Sequence, residues 1–207
     1  VAINDGDEII ALESYKDKLL QFKRNKVFVI NISGDYDVLE DTFFNVGIVE
    51  ECSVVKTPHG IVWVNKTGCY IYDGKEMNNL IDSKIPASQD YATIGNNYWA
   101  VEGPNLNSPP NAAVVGFMQE RDTLLVKFRS MAWAGTPTGA TYHFPTKSWA
   151  FVINAFSPTN EANEGKSSNM ITNQNGEILY YSYLPNWATA TTKNSIRKWN
   201  NSSTSDS

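Results

Sequence analysis

Residues that build covalent staples, metal sites and catalytic machinery are scarce in this sequence. Its 207 residues include two cysteines, Cys52 and Cys69, and two histidines, His59 and His143. Two thiols cannot staple a disulfide framework. They read as buried free thiols on neighbouring strands, with a single disulfide as the alternative. Neither histidine has a partner one helical turn away, and no Cys-x-x-Cys occurs, so the common zinc patterns are missing. No Gly-x-Ser-x-Gly elbow, phosphate-binding P-loop or Gly-x-Gly-x-x-Gly turn is present, nor the Ser-x-Asp-x-Gly-x-Thr-Trp box of sialidase propellers. No apolar run nears the ~18 residues of a membrane span, and no signal-peptide pattern is visible. The chain begins at Val1 among polar residues, which suggests a cleaved or mature part of a longer product.

Charge is also sparse, at 19% of residues, and the balance is acidic at −5. Low charge beside 42% hydrophobic residues describes a globular chain rather than a disordered one. An acidic surface opposes tight, non-specific nucleic-acid binding, which needs Lys and Arg to neutralise phosphates. Aromatic residues reach 12%, a composition that favours strands.

The sequence does carry a repeated pattern of turn residues followed by a short apolar strand. Lys16-Asp17-Lys18 leads into Leu19-Leu20-Gln21-Phe22, and Pro58-His59-Gly60 into Ile61-Val62-Trp63-Val64. Arg121-Asp122-Thr123 leads into Leu124-Leu125-Val126, and Asn173-Gln174-Asn175-Gly176-Glu177 into Ile178-Leu179-Tyr180-Tyr181. The anchors Leu19, Ile61, Leu124 and Ile178 lie 42, 63 and 54 residues apart. A loose period of about 50 residues suits a four-stranded β-propeller blade.

Four blades follow, at about 8–45, 46–111, 112–156 and 167–199, then a polar tail at 200–207. Strands are expected at 8–14, 18–23 and 26–32, with 38–44 either an outer strand or one helical turn. The second blade is expected at 53–55, 61–65, 69–72 and 78–81, with Asp73-Gly74-Lys75 as a hairpin turn. The segment 82–111 carries four prolines and reads as an insert with a strand at 98–101. The third blade takes 113–117, 124–129, 140–144 and 149–153, with a loop over 134–139. The fourth takes 169–172, 178–183 and 195–199 and lacks an outer strand. The fold class is therefore all-β: a propeller of about four blades, an arc of a larger ring that a partner or further sequence would close.

Candidate chemistry is thin. Asp35, Asp37, Glu40 and Asp41 could hold Ca²⁺, but their spacing is not that of an EF-hand loop, and a solvated loop is the simpler reading. Asp5, Asp7 and Glu8 read likewise. Trp99, Trp133 and Trp187 fall at loops or strand ends, where they could stack on sugars or fill wedges between blades. Asn31-Ile32-Ser33, Asn65-Lys66-Thr67 and Asn201-Ser202-Ser203 match the glycosylation sequon, which matters only in a secretory setting.

Segment 8–22, with the Val27-Phe28-Val29 that follows, resembles the opening blade of β-propellers in tailed-bacteriophage particles. Segment 60–74 looks like the next blade of that type. Tyr142-His143-Phe144-Pro145-Thr146-Lys147-Ser148-Trp149 is similar to the aromatic corner of later blades. Such proteins include tail nozzles, tail hubs and packaged-DNA stabilisation proteins. The resemblance implies a non-enzymatic virion component, with no catalytic, cofactor-binding or metal residues to carry over. It would work among other virion proteins, as a symmetric ring of copies around a channel through which DNA passes, with no membrane span. A lectin-like carbohydrate-binding propeller is the alternative, and a glycoside hydrolase a more distant one.

Overall fold

The computed structural model describes residues 6–65, 67–82, 113–127, 137–153, 167–186 and 191–199. Over these residues the chain forms four successive antiparallel sheets. The first is β1 (Ile9–Tyr15), β2 (Lys18–Lys23), β3 (Lys26–Asn31) and β4 (Val38–Phe44), in chain order. The second is β5 (Val54–Thr57), β6 (Gly60–Asn65), β7 (Gly68–Tyr72) and β8 (Met77–Asn79). The third is β9 (Val114–Met118), β10 (Thr123–Lys127), β11 (Pro137–His143) and β12 (Ser148–Ile153). The fourth has three strands among the described residues, β13 (Ser167–Thr172), β14 (Ile178–Asn186) and β15 (Thr191–Lys198).

Strand parity stacks the sheets. In β6, Ile61 and Trp63 join Leu20, Phe22, Val27 and Val29 of the first sheet in one core. Their neighbours Val62 and Val64 join Val115, Leu124 and Val126 of the third sheet in another. Successive side chains point to opposite faces, so the unbroken run Ile61-Val62-Trp63-Val64 marks a strand buried on both sides. The third sheet turns Leu125 and Met118 towards Ile178 and Tyr180 of the fourth. The first strand of each sheet contacts the next sheet: β1 touches β5 and β6, β5 touches β9, and β9 touches β13 and β14. Meandering sheets stacked face to face, each entered by its innermost strand, make a β-propeller of four blades in succession.

Connections between blades are locked by backbone contacts. After β4 the chain folds back on the β2–β3 turn, with Asn45 N donating to Asn25 O at 2.7 Å and Ile48 N to Lys23 O at 3.0 Å. A Cβ at Gly47 would lie 2.3 Å from Lys23 O, so only glycine passes there. Trp63 Nε1 donates to Val46 O at 2.7 Å, and Asn65 Nδ2 to Gly47 O at 2.9 Å, tying this connection to the second sheet.

Of the two forms expected for segment 38–44, the outer strand is the one observed. Other details depart from the sequence reading. Pro137, Thr138 and Gly139, expected in a loop, belong to β11, which absorbs the proline at a register shift between Pro137 and Gly139. Cys52 lies in a 3-10 turn at Glu51–Ser53, not on a strand beside Cys69. Neither cysteine forms a disulfide, and both are buried. The strand expected at 98–101 lies outside the described residues.

Trp63 is fully buried and meets Phe22 edge-on at 5.4 Å and Tyr70 in a stack at 5.6 Å. Trp63→Ala is therefore expected to cost about 3–5 kcal/mol in urea unfolding. Trp63→Phe should cost less, since it keeps most of the volume and loses the hydrogen bond to Val46.

Candidate functional site: the rim of repeated turns

The four turns that repeat in the sequence meet on one rim, and each touches the next. In the β1–β2 turn, Lys16 takes the left-handed conformation with φ 54°. Tyr15 OH donates to Pro58 O at 2.8 Å, and Lys16 Nζ donates to Asp73 O at 3.0 Å. In the β5–β6 turn, Gly60 has φ 148°, and a Cβ there would lie 2.2 Å from Tyr72 O. That turn presents His59, whose Nε2 lies 2.6 Å from Asp122 Oδ1 in the β9–β10 turn. The His59 ring stacks on Phe144 at 4.2 Å and 13° and meets Phe117 edge-on at 6.4 Å. Asp122 is itself left-handed, with φ 47°, a conformation Asp tolerates. From the fourth sheet, Thr172 Oγ1 donates to Phe117 O at 2.9 Å.

These turns enclose a depression of about 420 Å³ to which all four sheets contribute. Tyr15 comes from the first, Lys56, Thr57 and Pro58 from the second, Phe117 and Gln119 from the third, and Thr172 from the fourth. Its hydroxyl protons are already committed: Tyr15 to Pro58 O, Thr172 to Phe117 O, and Thr57 to Gly60 O at 2.9 Å. The Lys56 ammonium and the Gln119 carboxamide, both exposed, remain to meet a ligand. Glu13, on β1, senses Lys56 through space. Burial pushes its carboxyl above the usual range, Lys56 opposes that, and Glu51 adds to it.

The candidate groups read from the sequence are spread out and structurally occupied. His59 joins two blades, while His143 Nδ1 lies 2.8 Å from Thr146 Oγ1 in the β11–β12 corner. Asp122, not a hydroxyl, is the ring partner of His59, so the described residues form no Ser–His–Asp relay around it. In the acidic stretch, Glu40 pairs with Lys18 at 2.8 Å and accepts from Asn31 Nδ2 at 2.7 Å, which holds its carboxyl below the usual range. Asp41 accepts from its neighbour's Thr42 N, and Asp7 accepts from Arg24 N and Asn25 N, capping the β2–β3 turn. Among the described residues, no three His, Cys, Asp or Glu converge as a metal site. Asn31 Oδ1 and Asn65 Oδ1 each accept from the sequon residue two positions on, so both amides hold tight turns. Trp99, Trp133 and Trp187 lie outside the described residues, as do Asp5 and the third sequon. Sequence reasoning missed Tyr15, Lys56, Gln119 and Thr172 as a group. Their shared signal was position, at the ends of innermost strands beside the repeated turns.

Two outcomes are expected. His59 and Asp122 are 40% and 36% exposed, so a double-mutant cycle of His59→Ala and Asp122→Ala should give a coupling of about 0.2–1 kcal/mol. Glu13 follows the opposite sign from a paired carboxylate. Its folded pKa exceeds the ordinary 4.5, so the native state holds the proton more tightly and stability falls as pH rises through that window. Glu13→Gln should match wild-type stability well below pH 4.5 and exceed it at neutral pH in parallel urea titrations.

No protein-family model matches the sequence, and no curated protein matches it. Among solved structures, the chain is similar to the crystal structure of the WD40 domain of SCAP from fission yeast, at 11% identity and a TM-score of 0.31, over 98% of this chain and 68% of that one.

Proposed function

We propose that the chain is a non-enzymatic structural component of a tailed-bacteriophage virion, a propeller arc at the tail or head-to-tail junction that assembles with other virion proteins or with its own copies around the DNA channel. One observation carries the assembling role. The large hydrophobic residues left exposed among the described residues all belong to the first and last sheets or their turns. On the first sheet these include Ile9 at 50%, Leu12 at 55% and Phe44 at 67%. On the fourth they are Ile171 at 62% and Ile196 at 77%.

Register places them on outward faces. Leu12 pairs with Gln21, one step out of phase with Leu20 and Phe22, which enter the core. Ile171 pairs with Leu179, one step out of phase with Ile178 and Tyr180. On the same outward face of the first sheet, the buried Gln21 Nε2 has no hydrogen-bond partner. Exposed apolar residues on the first and fourth sheets, and an unsatisfied amide on the first, favour a partner there. The phage setting comes from the sequence resemblance at 8–22, 60–74 and 142–149. An acidic surface suits a channel along which DNA slides without sticking.

Phe44→Asp and Ile196→Asp are each expected to weaken self-association at least tenfold in sedimentation experiments, with thermal stability nearly unchanged because both residues are exposed. An antibody to the chain should decorate symmetric positions on the tails of phage particles released by cells that make it. A chain that stays monomeric at high concentration and labels no particle would overturn the proposal.

A further inference from the structure

The depression ringed by all four sheets has a chemistry of its own, independent of which particle the chain serves. Its walls are apolar where Pro58 and the buried Phe117 lie, and the half-buried Tyr15 adds an aromatic face. Its free donors are the Lys56 ammonium, which makes no ion pair among the described residues, and the Gln119 carboxamide. The Tyr15 and Thr172 hydroxyls have donated their protons and keep lone pairs to accept with, while the buried Thr57 Oγ1 already accepts from His59 N at 3.2 Å. A matching ligand must bring an anion for the ammonium, a carbonyl for the carboxamide, N–H groups for the hydroxyl oxygens, and an apolar body for Phe117 and Pro58.

A peptide supplies all four. We propose that this depression is a docking site for a short segment of a partner protein in which an acidic residue lies next to an apolar one. The backbone gives the carbonyl and N–H groups, the carboxylate meets Lys56, and the apolar side chain covers Phe117. Lys16, the other ammonium close by, is committed to Asp73 O and lies 5.0 Å above the Tyr15 ring. Among the described lining residues Lys56 is the one cation, so it sets the charge preference, and an incoming carboxylate competes for it with Glu13 on β1. The rim is also preorganised. Hydrogen bonds from Tyr15, His59 and Thr172 each cross from one sheet to the next, so binding does not have to order the wall first.

The test uses the full chain and capped hexapeptides of alternating Leu and Asp, with Leu–Lys and Leu–Asn versions beside them, followed by fluorescence anisotropy. Saturable binding of the Leu–Asp peptide is expected, with a midpoint below about 1 mM. Lys56→Gln should weaken it on the order of tenfold, the loss of one charge-assisted hydrogen bond. Lys75→Gln, at an exposed lysine outside the depression, should leave it unchanged. Equal binding of the Leu–Lys peptide, or full binding by Lys56→Gln, would overturn the proposal. So would no binding of any peptide. Displacement by acetate at a concentration equal to its own half-saturation, with no contribution from leucine, would reduce the site to a simple anion pocket. Lys56-dependent binding of an oligothymidylate in place of the peptide would assign it to nucleic acid instead.

Discussion

Burial of the second sheet on both faces is the constraint on which the rest of the structure depends. β6 sends Ile61 and Trp63 one way and Val62 and Val64 the other, and β7 does the same with Tyr70 and Tyr72 against Cys69 and Ile71. A sheet of this composition cannot end a stack. Each face buried removes several large side chains from water, at about 25 cal/mol per Å² of apolar surface. The sheet therefore recruits a neighbour on each side, and the chain supplies them in order. Cys69 shows how complete the exclusion of water is: burial alone pushes its thiol far above the ordinary range, so it packs as a small hydrophobe rather than a nucleophile.

Stacking alone does not fix how the sheets rotate about the common axis. The turns do that. Tyr15 on Pro58, Lys16 on Asp73, His59 on Asp122 and Thr172 on Phe117 each bridge adjacent sheets at the same rim. Each bond is modest, and the exposed His–Asp pair is worth little by itself. They act on one degree of freedom, the angle between neighbouring blades, which the greasy faces leave soft. The opposite rim is held differently, by Trp63 and Asn65 gripping the backbone of the connection at Val46 and Gly47, while Trp149 Nε1 donates to Leu80 O between the third and second sheets. Aromatic and amide side chains there reach backbone acceptors that no strand pairs.

The blades were legible because their signals are local. The turns at Lys16-Asp17 and Pro58-His59-Gly60 and the two-sided run at Ile61–Val64 each announce a strand pair from a few adjacent residues. The innermost position of β1, β5, β9 and β13 was not legible, because it depends on which sheet lies next door. Pro137 misled for a related reason: proline argues for a loop, but a strand accommodates it at a register shift, and pairing between β11 and β12 decides that. The depression escaped notice altogether. Tyr15, Lys56, Gln119 and Thr172 form no motif, and each reads as an ordinary strand-end residue until the four rims are brought together. His59 attracted attention as a histidine, yet its place is set by the Phe144 ring beneath it, 85 residues further along the chain.

The same logic of two-sided burial reaches the ends of the stack. An inner blade satisfies both faces within the chain. Among the described residues, Leu12, Phe44, Ile171 and Ile196 stay open on the first and last sheets, while the middle of the first sheet's outward face, at Gln21 and Phe28, is buried. A blade evolved to stand at a water-facing end would carry polar residues there, as capping units of repeat arrays do. These carry isoleucine, leucine and phenylalanine in the positions where inner blades use them. The end blades thus keep the composition of inner ones.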